Sequence, residues 1–474
     1  MPFSSRFKVM VVFSLLLVGV LSFALFNFPR VPVHAAYAAI TLSVHAGPPT
    51  SSVTVQGGGF GPGETVAITF DSAPVGNAMT GSMGSFSVQI TVPASALPGS
   101  HIVQATGQSS GLSAQANFLV QTNWLMNGYN SRHTRFNPYE NVLNVTNVSN
   151  LVQDWTATTG NSIYASPAVV NGIVYAGSSD TYMYAFDAKT GTTVWKAPGV
   201  WPIGASPAVA DRIVYTGSGD GNLYAFNAKT GAVVWTALVG GNVDSPTVSQ
   251  GIVYVGSSSG NTKLYALDAK AGTLIWTANT SYITSTPAVA NNIVYVSSSD
   301  DNLYAFNAGT GASIWTAQTG GALDSSPTVV NGVVYVGSWD GKLYAFDAKT
   351  GTSIWTAQTG GPISFSSSAV ANGTVYIGSS DHKLYAFDAR TGKELWTALT
   401  GDQIWSSPTV ANGVIYVGSQ DDKLYAFNAT TGAQLWTGST GNQIFSSPTV
   451  VNGVVYVGSE DGKLYAFHVP GMLF

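Results

Sequence analysis

The residues best suited to bind a ligand in this 474-residue chain are aromatic and acidic side chains in loops about 40 residues apart. Aromatic rings stack on flat ligands such as a quinone or the face of a sugar, and carboxylates accept hydrogen bonds from ligand hydroxyl groups. The predicted ligand-binding set is Tyr164, Asp244, Asp324, Trp339, Phe365, Trp405, Phe445 and Glu460. The alternative is that these side chains only fill the mouth of a channel.

Other residue patterns that support catalysis are missing from the sequence. The chain has no cysteine, which excludes disulfides, thiolate metal sites and cysteine nucleophiles. Its histidines, at positions 34, 45, 101, 133, 382 and 468, lack metal-ligand spacing. No G-x-S-x-G nucleophile motif occurs, and the glycine-rich pieces are turns. The sequence therefore predicts no catalytic residue and no metal site.

An internal repeat of about 40 residues must position the ligand-binding set. Tryptophan recurs at spacings of 39 to 41 residues, and each interval holds a near-copy of SPTVVNGVVYVGSWDGKLYAFDAKTGTSIW, residues 326–355. The Asn331-Gly332 pair favours a two-residue hairpin turn because both positions tolerate positive φ. Gly351 supplies a further left-handed position. The unit therefore predicts four antiparallel strands, as in the blade of a β-propeller.

The repeat predicts eight blades. The strand with the sequence Tyr-Ala-Phe or Tyr-Ala-Leu begins at Tyr184, Tyr224, Tyr265, Tyr304, Tyr344, Tyr385, Tyr425 and Tyr465. The eighth unit ends at Phe467-His468 without a Trp-containing strand, and a spare strand of that kind, Val152 to Ala157, precedes the first unit. We expect this N-terminal strand to complete the last blade, because closure leaves no unpaired blade edge inside the ring.

Residues that recur in every unit are predicted to be structural. The tryptophans are expected to pack between neighbouring blades, since a central site would touch only one or two of them. These docking residues are Trp155, Trp195, Trp235, Trp276, Trp315, Trp355, Trp396 and Trp436. Asp187 has Asn227 as its counterpart in the next unit, so the expected role at this turn is capping by a side-chain oxygen.

A ligand site must instead use positions that differ between blades. Strand order places two sets of loops on one face, namely the loop before each first strand and the turn before each third strand. The residues there are four aromatic side chains from blades six, seven, eight and one (Phe365, Trp405, Phe445 and Tyr164), two acids across the ring (Asp244 and Asp324), and Trp339 and Glu460 nearby.

The first 38 residues predict a secretory signal. Arg6 and Lys8 precede an uncharged stretch from Val9 to Phe26, and small residues up to Ala38 offer a cleavage site. The stretch is close to the length that spans a bilayer, so an uncleaved N-terminal anchor is the alternative. In both cases the rest of the chain is expected outside the cytoplasm, secreted or at the cell surface.

Residues 39–120 are predicted to form a small β-sandwich. Apolar residues alternate at positions 66, 68 and 70 and again at 86, 88 and 90, with Gly and Pro turns between such runs. This pattern resembles the Ig-like modules of bacterial secreted proteins. A lead-in segment, residues 121–151, then precedes the propeller of residues 152–470.

The overall composition excludes several partners. A net charge of −5, 9% charged residues and no basic cluster argue against nucleic acid or an anionic lipid surface. A hydrophobic content of 45% is enough for a large core, which excludes a disordered chain. The predicted fold class is all-β, an eight-bladed propeller closed by an N-terminal strand and preceded by a small sandwich.

The repeated turn carries a family resemblance. Its motif, Ala185-x-Asp187-x-x-Thr190-Gly191-x-x-x-Trp195, recurs to the end of the chain. It resembles the tryptophan-docking motif of the PQQ-type eight-bladed propellers, which include quinoprotein alcohol dehydrogenases and BamB-like proteins. For the dehydrogenases the resemblance implies PQQ held with calcium and an Asp general base. This chain lacks their adjacent cysteine pair, their long inserts and an assignable calcium-binding set.

The predicted function is therefore that of an extracytoplasmic, non-catalytic binding or scaffold protein. The resemblance to BamB-like proteins implies an envelope or cell-surface protein as partner at a propeller face. The alternatives are a carbohydrate ligand or PQQ with calcium at the aromatic set, and finally a PQQ-dependent dehydrogenase. The chain is expected to be a monomer that contacts a membrane only through an uncleaved N-terminal segment.

Overall fold

The computed structural model describes residues 37–199, 201–259 and 262–472. The predicted secretory signal lies outside these residues except for its last two positions. Among the described residues, no helix combines the length and apolarity needed to cross a bilayer. All regular structure in this part of the chain is β-strand except for one 3₁₀ helix, so the all-β prediction is confirmed.

The N-terminal region consists of two sheets around one apolar core. Its strands are β1 Ala39–Leu42, β2 Ala46–Gly47, β3 Ser52–Gly58, β4 Thr65–Phe70, β5 Ala73–Met79, β6 Phe86–Thr91, β7 Gly99–Gly107 and β8 Ser113–Val120. One sheet has the order β1-β3-β6 and the other the order β2-β8-β7-β4-β5. Alternate residues of facing strands, such as Val55, Ile68 and Phe118, are fully buried between them. The alternation in the sequence therefore corresponds to one buried and one exposed sheet face.

The remaining strands form the propeller. After β9 Phe136–Asn137, the 3₁₀ helix Val148–Asn150 and β10 Val152–Thr158, the strands follow one another in seven sets of four and a final set of three. They are β11 Ala168–Val170, β12 Ile173–Gly177, β13 Tyr182–Asp187, β14 Thr193–Pro198; β15 Ala208–Ala210, β16 Ile213–Gly217, β17 Asn222–Asn227, β18 Val233–Leu238; β19 Thr247–Ser249, β20 Ile252–Gly256, β21 Lys263–Asp268, β22 Leu274–Asn279; β23 Ala288–Ala290, β24 Ile293–Ser297, β25 Asn302–Asn307, β26 Ser313–Gln318; β27 Thr328–Val330, β28 Val333–Gly337, β29 Lys342–Asp347, β30 Ser353–Gln358; β31 Ala369–Ala371, β32 Thr374–Gly378, β33 Lys383–Asp388, β34 Glu394–Leu399; β35 Thr409–Ala411, β36 Val414–Gly418, β37 Lys423–Asn428, β38 Gln434–Ser439; and β39 Thr449–Val451, β40 Val454–Gly458, β41 Lys463–His468.

Within the described residues, hydrogen bonding groups these strands into eight sheets of four antiparallel strands, one of which also pairs β35 in parallel with β9. In each sheet the first strand of the unit is innermost, and burial decreases outwards. The second and third strands are buried almost throughout, as in β12 and β13, whereas the fourth strand, such as β14, exposes alternate residues. A run of apolar residues therefore marks the inner strands and an alternating pattern marks the outer strand.

The N-terminal strand β10 closes the ring. It pairs antiparallel with β41, with Val152 opposite His468 and Thr158 opposite Lys463. The last sheet therefore has the order β10-β41-β40-β39 and contains strands from both ends of the propeller region. This is the closure that the spare Trp-containing strand predicts.

Each docking tryptophan lies between one blade and the next. The Trp195 ring lies flat against Gly231, because a Cβ atom on this glycine would be 2.7 Å from the ring, and Gly231 has φ +70°. The Trp195 Nε1–H group donates to the Ala228 carbonyl oxygen at 2.9 Å. Equivalent bonds to the next blade are made by Trp155, Trp235, Trp276, Trp315 and Trp355. The glycine of the repeated turn thus provides the platform for the preceding blade's tryptophan in seven cases. Trp436 differs, because its Nε1–H group donates to the Leu151 carbonyl oxygen of the lead-in segment at 2.9 Å.

The lead-in segment lies across the inner strands of all eight sheets. Its backbone bonds include Val209 N–H to the Leu125 carbonyl at 2.7 Å and Val410 N–H to the Arg135 carbonyl at 2.8 Å. The other inner strands are contacted by Trp124, His133, Ser131, Arg132, Thr134 and Asn137. A stretch outside the repeat therefore connects the blades around the central channel.

Candidate functional site

Five aromatic side chains form a continuous row at one mouth of the channel, where the inner strands begin. We call Trp339, Phe365, Trp405, Phe445 and Tyr164 the aromatic arc. Successive ring centroids are 6.4, 5.1, 5.2 and 5.5 Å apart in that order. The structure thus brings together the four aromatic residues that the repeat comparison selects, and Trp339 extends the row by one ring.

The rings of the arc are tilted rather than parallel. Neighbouring ring planes make angles between 59° and 83°. Tyr164 is 42% exposed, and Trp339 and Phe365 are each 43% exposed. Edge-to-face contacts stabilise the row internally while leaving ring surface open to a ligand. The arc is therefore a corrugated apolar surface rather than a slot for a planar molecule.

Asp324 fixes one end of the arc. Its carboxylate accepts the Trp339 Nε1–H group at 2.8 Å, the Ser299 hydroxyl at 2.9 Å and the Thr284 hydroxyl at 2.5 Å. Three donors from neighbouring loops occupy most of the lone pairs of this carboxylate. Asp324 therefore orients the Trp339 ring and has little capacity left for a ligand.

Glu460 fixes the other end of the arc. Its Oε1 atom accepts the Tyr164 hydroxyl at 2.8 Å. Burial, followed by this hydrogen bond, raises the pKa of Tyr164 above its ordinary value. In the middle of the row the Trp405 Nε1–H group donates to Gln403 Oε1 at 3.1 Å. Each polar ring of the arc is thus held in orientation by an acceptor side chain.

Asp244 lies across the channel mouth and differs from the other two acids. Its Oδ2 atom is inaccessible to solvent and has no hydrogen-bond partner among the described residues. Burial first, and then the negative charge of Asp324, raise the pKa of Asp244 well above its ordinary value. Compared with an exposed aspartate, the neutral form of Asp244 is therefore favoured, and ionisation of this side chain opposes folding.

Replacement of Asp244 by Asn is expected to stabilise the protein at neutral pH. Because the folded-state pKa is raised, the wild-type free energy of unfolding falls as the pH increases from about 4 to that pKa. The loss amounts to about 1.4 kcal/mol for each pH unit between the unfolded and folded pKa values. Asp244→Asn removes this loss, which urea unfolding between pH 4 and 8 measures.

The matched control is Asp211→Asn, because Asp211 is exposed on a turn. This variant is expected to keep the wild-type pH dependence. Parallel pH profiles for wild type and Asp244→Asn would contradict a raised pKa of Asp244.

Sequence reasoning missed two buried side chains of the lead-in segment. His133 is inaccessible to solvent and Arg135 is 1% exposed, and both lie among the inner strands. His133 Nε2 is 3.0 Å from the Thr247 hydroxyl. A charged residue in a segment outside the repeat has no counterpart in the other units for comparison, so no internal signal indicated its burial.

Three protein-family models match successive parts of the propeller region. Residues 124–204 match the β-propeller domain of glucose, ethanol and alcohol dehydrogenases, and residues 184–282 match outer membrane protein assembly factor BamB. Residues 239–473 match the β-propeller of the beta-alanine-activating enzyme. Residues 124–473 therefore form a PQQ-like β-propeller. The repeated turn motif that resembles this family is therefore a reliable family signal.

Solved structures show the same fold in proteins with different activities. BamB from Moraxella catarrhalis is 23% identical with a TM-score of 0.59, covering 68% of this PQQ-like propeller protein and 98% of BamB. Quinohemoprotein alcohol dehydrogenase from Comamonas testosteroni is 18% identical with a TM-score of 0.63, covering 74% and 81% of the two chains. A europium-containing methanol dehydrogenase is 16% identical with a TM-score of 0.62, covering 73% and 98%. No curated protein is significantly similar in sequence. At these identities the similarity establishes the fold alone.

The residues at the aromatic arc do not fit PQQ held with calcium. PQQ is a tricarboxylate, yet neither the arc nor the acceptor side chains that hold its rings include a Lys or Arg side chain. Asp324 already accepts three hydrogen bonds, and the ring planes of the arc are mutually tilted. Among residues 37–199, 201–259 and 262–472, no group of three or more acids or histidines could hold a metal ion.

Proposed function

We propose that this PQQ-like propeller protein is an extracytoplasmic, non-catalytic binding protein that holds a protein partner at the aromatic arc. The observation that carries this proposal is the continuous row of five rings, three of which are 42–43% exposed. Exposed aromatic side chains that cluster in a polar surface are typical of protein interfaces, where Trp and Tyr contribute most of the binding energy.

The composition of the arc supports a protein partner over a planar cofactor. The tilted rings form a corrugated surface, which suits the irregular side chains of a polypeptide better than it suits one flat molecule. The acids at both ends, Asp324 and Glu460, have their carboxylates engaged by Trp339 and Tyr164. They therefore preorganise the apolar surface, which lowers the entropic cost of binding.

The remaining regions support an envelope role. The basic, apolar and small-residue segments of residues 1–38 are typical of an exported chain, and we assign residues 39–120 as a spacer module. One matching family is outer membrane protein assembly factor BamB. We infer from these points that the partner is an envelope or cell-surface protein and that the propeller acts as a monomer.

Site-specific photo-cross-linking tests the proposed face. A photoreactive phenylalanine analogue replaces Phe365 in the arc or, as the control, Ile314 on the outer strand β26, and both native residues are 43% exposed. We expect position 365 alone to cross-link a discrete envelope protein in the source cells, which mass spectrometry then identifies. Equal cross-linking from both positions, or none from either, would contradict the proposal.

Truncation of Trp405 is expected to weaken binding of the identified partner. Trp405 contacts both Phe365 and Phe445, so its loss interrupts the arc at its centre. We expect Trp405→Ala to lower the affinity by about 2 kcal/mol or more, roughly 30-fold, as measured by calorimetry with the purified partner. The control Ile314→Ala should bind like wild type.

Two binding measurements, a glycan array and a PQQ titration, distinguish the alternative ligands. Binding of the purified protein to a glycan array, lost in Trp405→Ala, would replace the protein partner by a carbohydrate. Calcium-dependent quenching of tryptophan fluorescence by PQQ would replace it by the cofactor. Neither measurement is expected to detect binding.

A further inference from the structure

We propose that a cavity between the first and second blades binds a small monocarboxylic acid with an aliphatic chain. The cavity lies where the inner strands β11 and β15 end, whereas the aromatic arc lies at the channel mouth where the inner strands begin. The site is therefore separate from the aromatic arc and does not depend on the function proposed for it.

The cavity has the size and the apolar wall of a small-ligand site. Its volume is about 390 Å³, and sites for small molecules typically have volumes of roughly 300–1,000 Å³. Most of the wall is aliphatic, formed by Leu125, Val170, Ile173, Val194, Val209 and Ala210. Two of these side chains, Val194 and Leu125, are 49% and 37% exposed. A ligand with an aliphatic body would remove this apolar surface from water, which favours binding.

Two basic side chains, Arg212 and Lys229, also line the cavity. Both residues are exposed, and in the part of the chain that the structure describes neither of them belongs to an ion pair. Asp211 lines the cavity as well, so the three charged side chains together carry a net positive charge. An anionic ligand is therefore favoured, and arginine can bind a carboxylate through two parallel N–H donors.

The turn that contains Arg212 departs from the repeat. The seven other units have an uncharged pair between their first and second strands, namely Asn171-Gly172, Gln250-Gly251, Asn291-Asn292, Asn331-Gly332, Asn372-Gly373, Asn412-Gly413 and Asn452-Gly453. Only the second blade has a charged pair, Asp211-Arg212, and Arg212 has φ of 66°. Glycine adopts this backbone conformation freely, whereas arginine adopts it at a cost in free energy. The turn itself therefore does not explain the arginine, but a carboxylate at the cavity would.

The equivalent groove between the third and fourth blades has a different character. Its volume is about 190 Å³, and its lining is mainly polar, with Ser249, Gln250, Asn291 and Asn292 among the residues. The lead-in segment contributes Leu125 to the cavity but Arg132 to this groove. The repeated geometry of the blades therefore does not by itself produce the aliphatic cavity, which depends on the residues of the first two blades.

Isothermal titration calorimetry with sodium octanoate tests the site in the full protein. Octanoate has an aliphatic body and one carboxylate, and octylammonium has the same body with the opposite charge. We expect saturable binding of octanoate with a Kd of about 1 mM or lower. Octylammonium is expected to bind at least about tenfold more weakly. No detectable binding of octanoate, or equal affinities for the two ions, would overturn the proposal.

Arg212→Gly tests the role of the charged turn without endangering the fold. Six other units have glycine at this position, and because φ is 66° the variant is expected to have an equal or higher Tm. We expect its affinity for octanoate to fall at least about fivefold. The matched control is Arg390→Gln, which removes a cation from the turn of the sixth blade that corresponds to Lys229. This control should bind octanoate like wild type. An unchanged affinity in Arg212→Gly, or an equal loss in both variants, would overturn the proposal.

Crystallography with 8-bromooctanoate locates the bound acid. The bromine atom marks the end of the aliphatic chain and gives an anomalous signal at the bromine absorption edge. We expect an anomalous difference peak against the Val170 and Val194 side chains, with density for the carboxylate at Arg212. A peak at the aromatic arc instead, or no peak, would overturn the proposal. Trp405→Ala alters the arc but not this cavity, so it should leave octanoate binding unchanged, and the two proposals can fail independently.

Discussion

Deletion of residues 122–158 is expected to abolish the folded monomer. The deletion removes β10, whose ladder with β41 runs from Val152 opposite His468 to Thr158 opposite Lys463. It also removes the lead-in segment, which contacts the inner strand of every blade. We expect the free energy of unfolding to fall by at least about 5 kcal/mol, which is comparable to the stability of a whole domain, because ring closure and channel packing are lost together.

Size-exclusion chromatography and thermal unfolding measure this effect. The exposed edge of β41 should pair with other molecules, so the truncated protein is expected to elute as aggregates. The control lacks residues 37–120 instead and keeps the complete propeller, which should remain monomeric with a similar Tm. A monomeric 122–158 deletion with an unchanged Tm would contradict closure by the N-terminal strand.

Truncation of a single docking tryptophan should destabilise the propeller strongly. Trp315 is 9% exposed, donates to the Ala348 carbonyl oxygen at 3.1 Å and contacts the Tyr295 ring at a centroid distance of 5.8 Å. Its ring also lies on Gly351, where a Cβ atom would be 2.7 Å away. Trp315→Ala leaves a cavity between two blades, and we expect it to lower the free energy of unfolding, measured in urea, by about 3–5 kcal/mol.

Trp201→Ala is the matched control for Trp315→Ala. Trp201 is 59% exposed and belongs to a loop rather than to a blade interface. We expect its truncation to change the free energy of unfolding by less than about 0.5 kcal/mol. Similar losses for both variants would show that Trp315 does not connect the two blades.

The sequence by itself determined the blades and their packing. Strands, turns and docking tryptophans depend on local patterns, such as Asn331-Gly332 at a hairpin turn with φ of 51° and 79°. Near-copies of one unit separate residues that every blade needs from residues that vary. For this reason the positions of the aromatic arc could also be predicted, since a cyclic arrangement of equal units places equivalent loops on one face.

Only the tertiary structure decided what surrounds the channel. The contact between Tyr164 and Glu460 joins residues 296 positions apart, and Asn137 bonds to Val450 across 313 positions. Such contacts exist only once the ring has closed, so no local pattern encodes them. The same holds for the raised pKa of Asp244 and the burial of Arg135. Each depends on how much solvent and charge the assembled blades leave around one side chain, which the repeat alone does not specify.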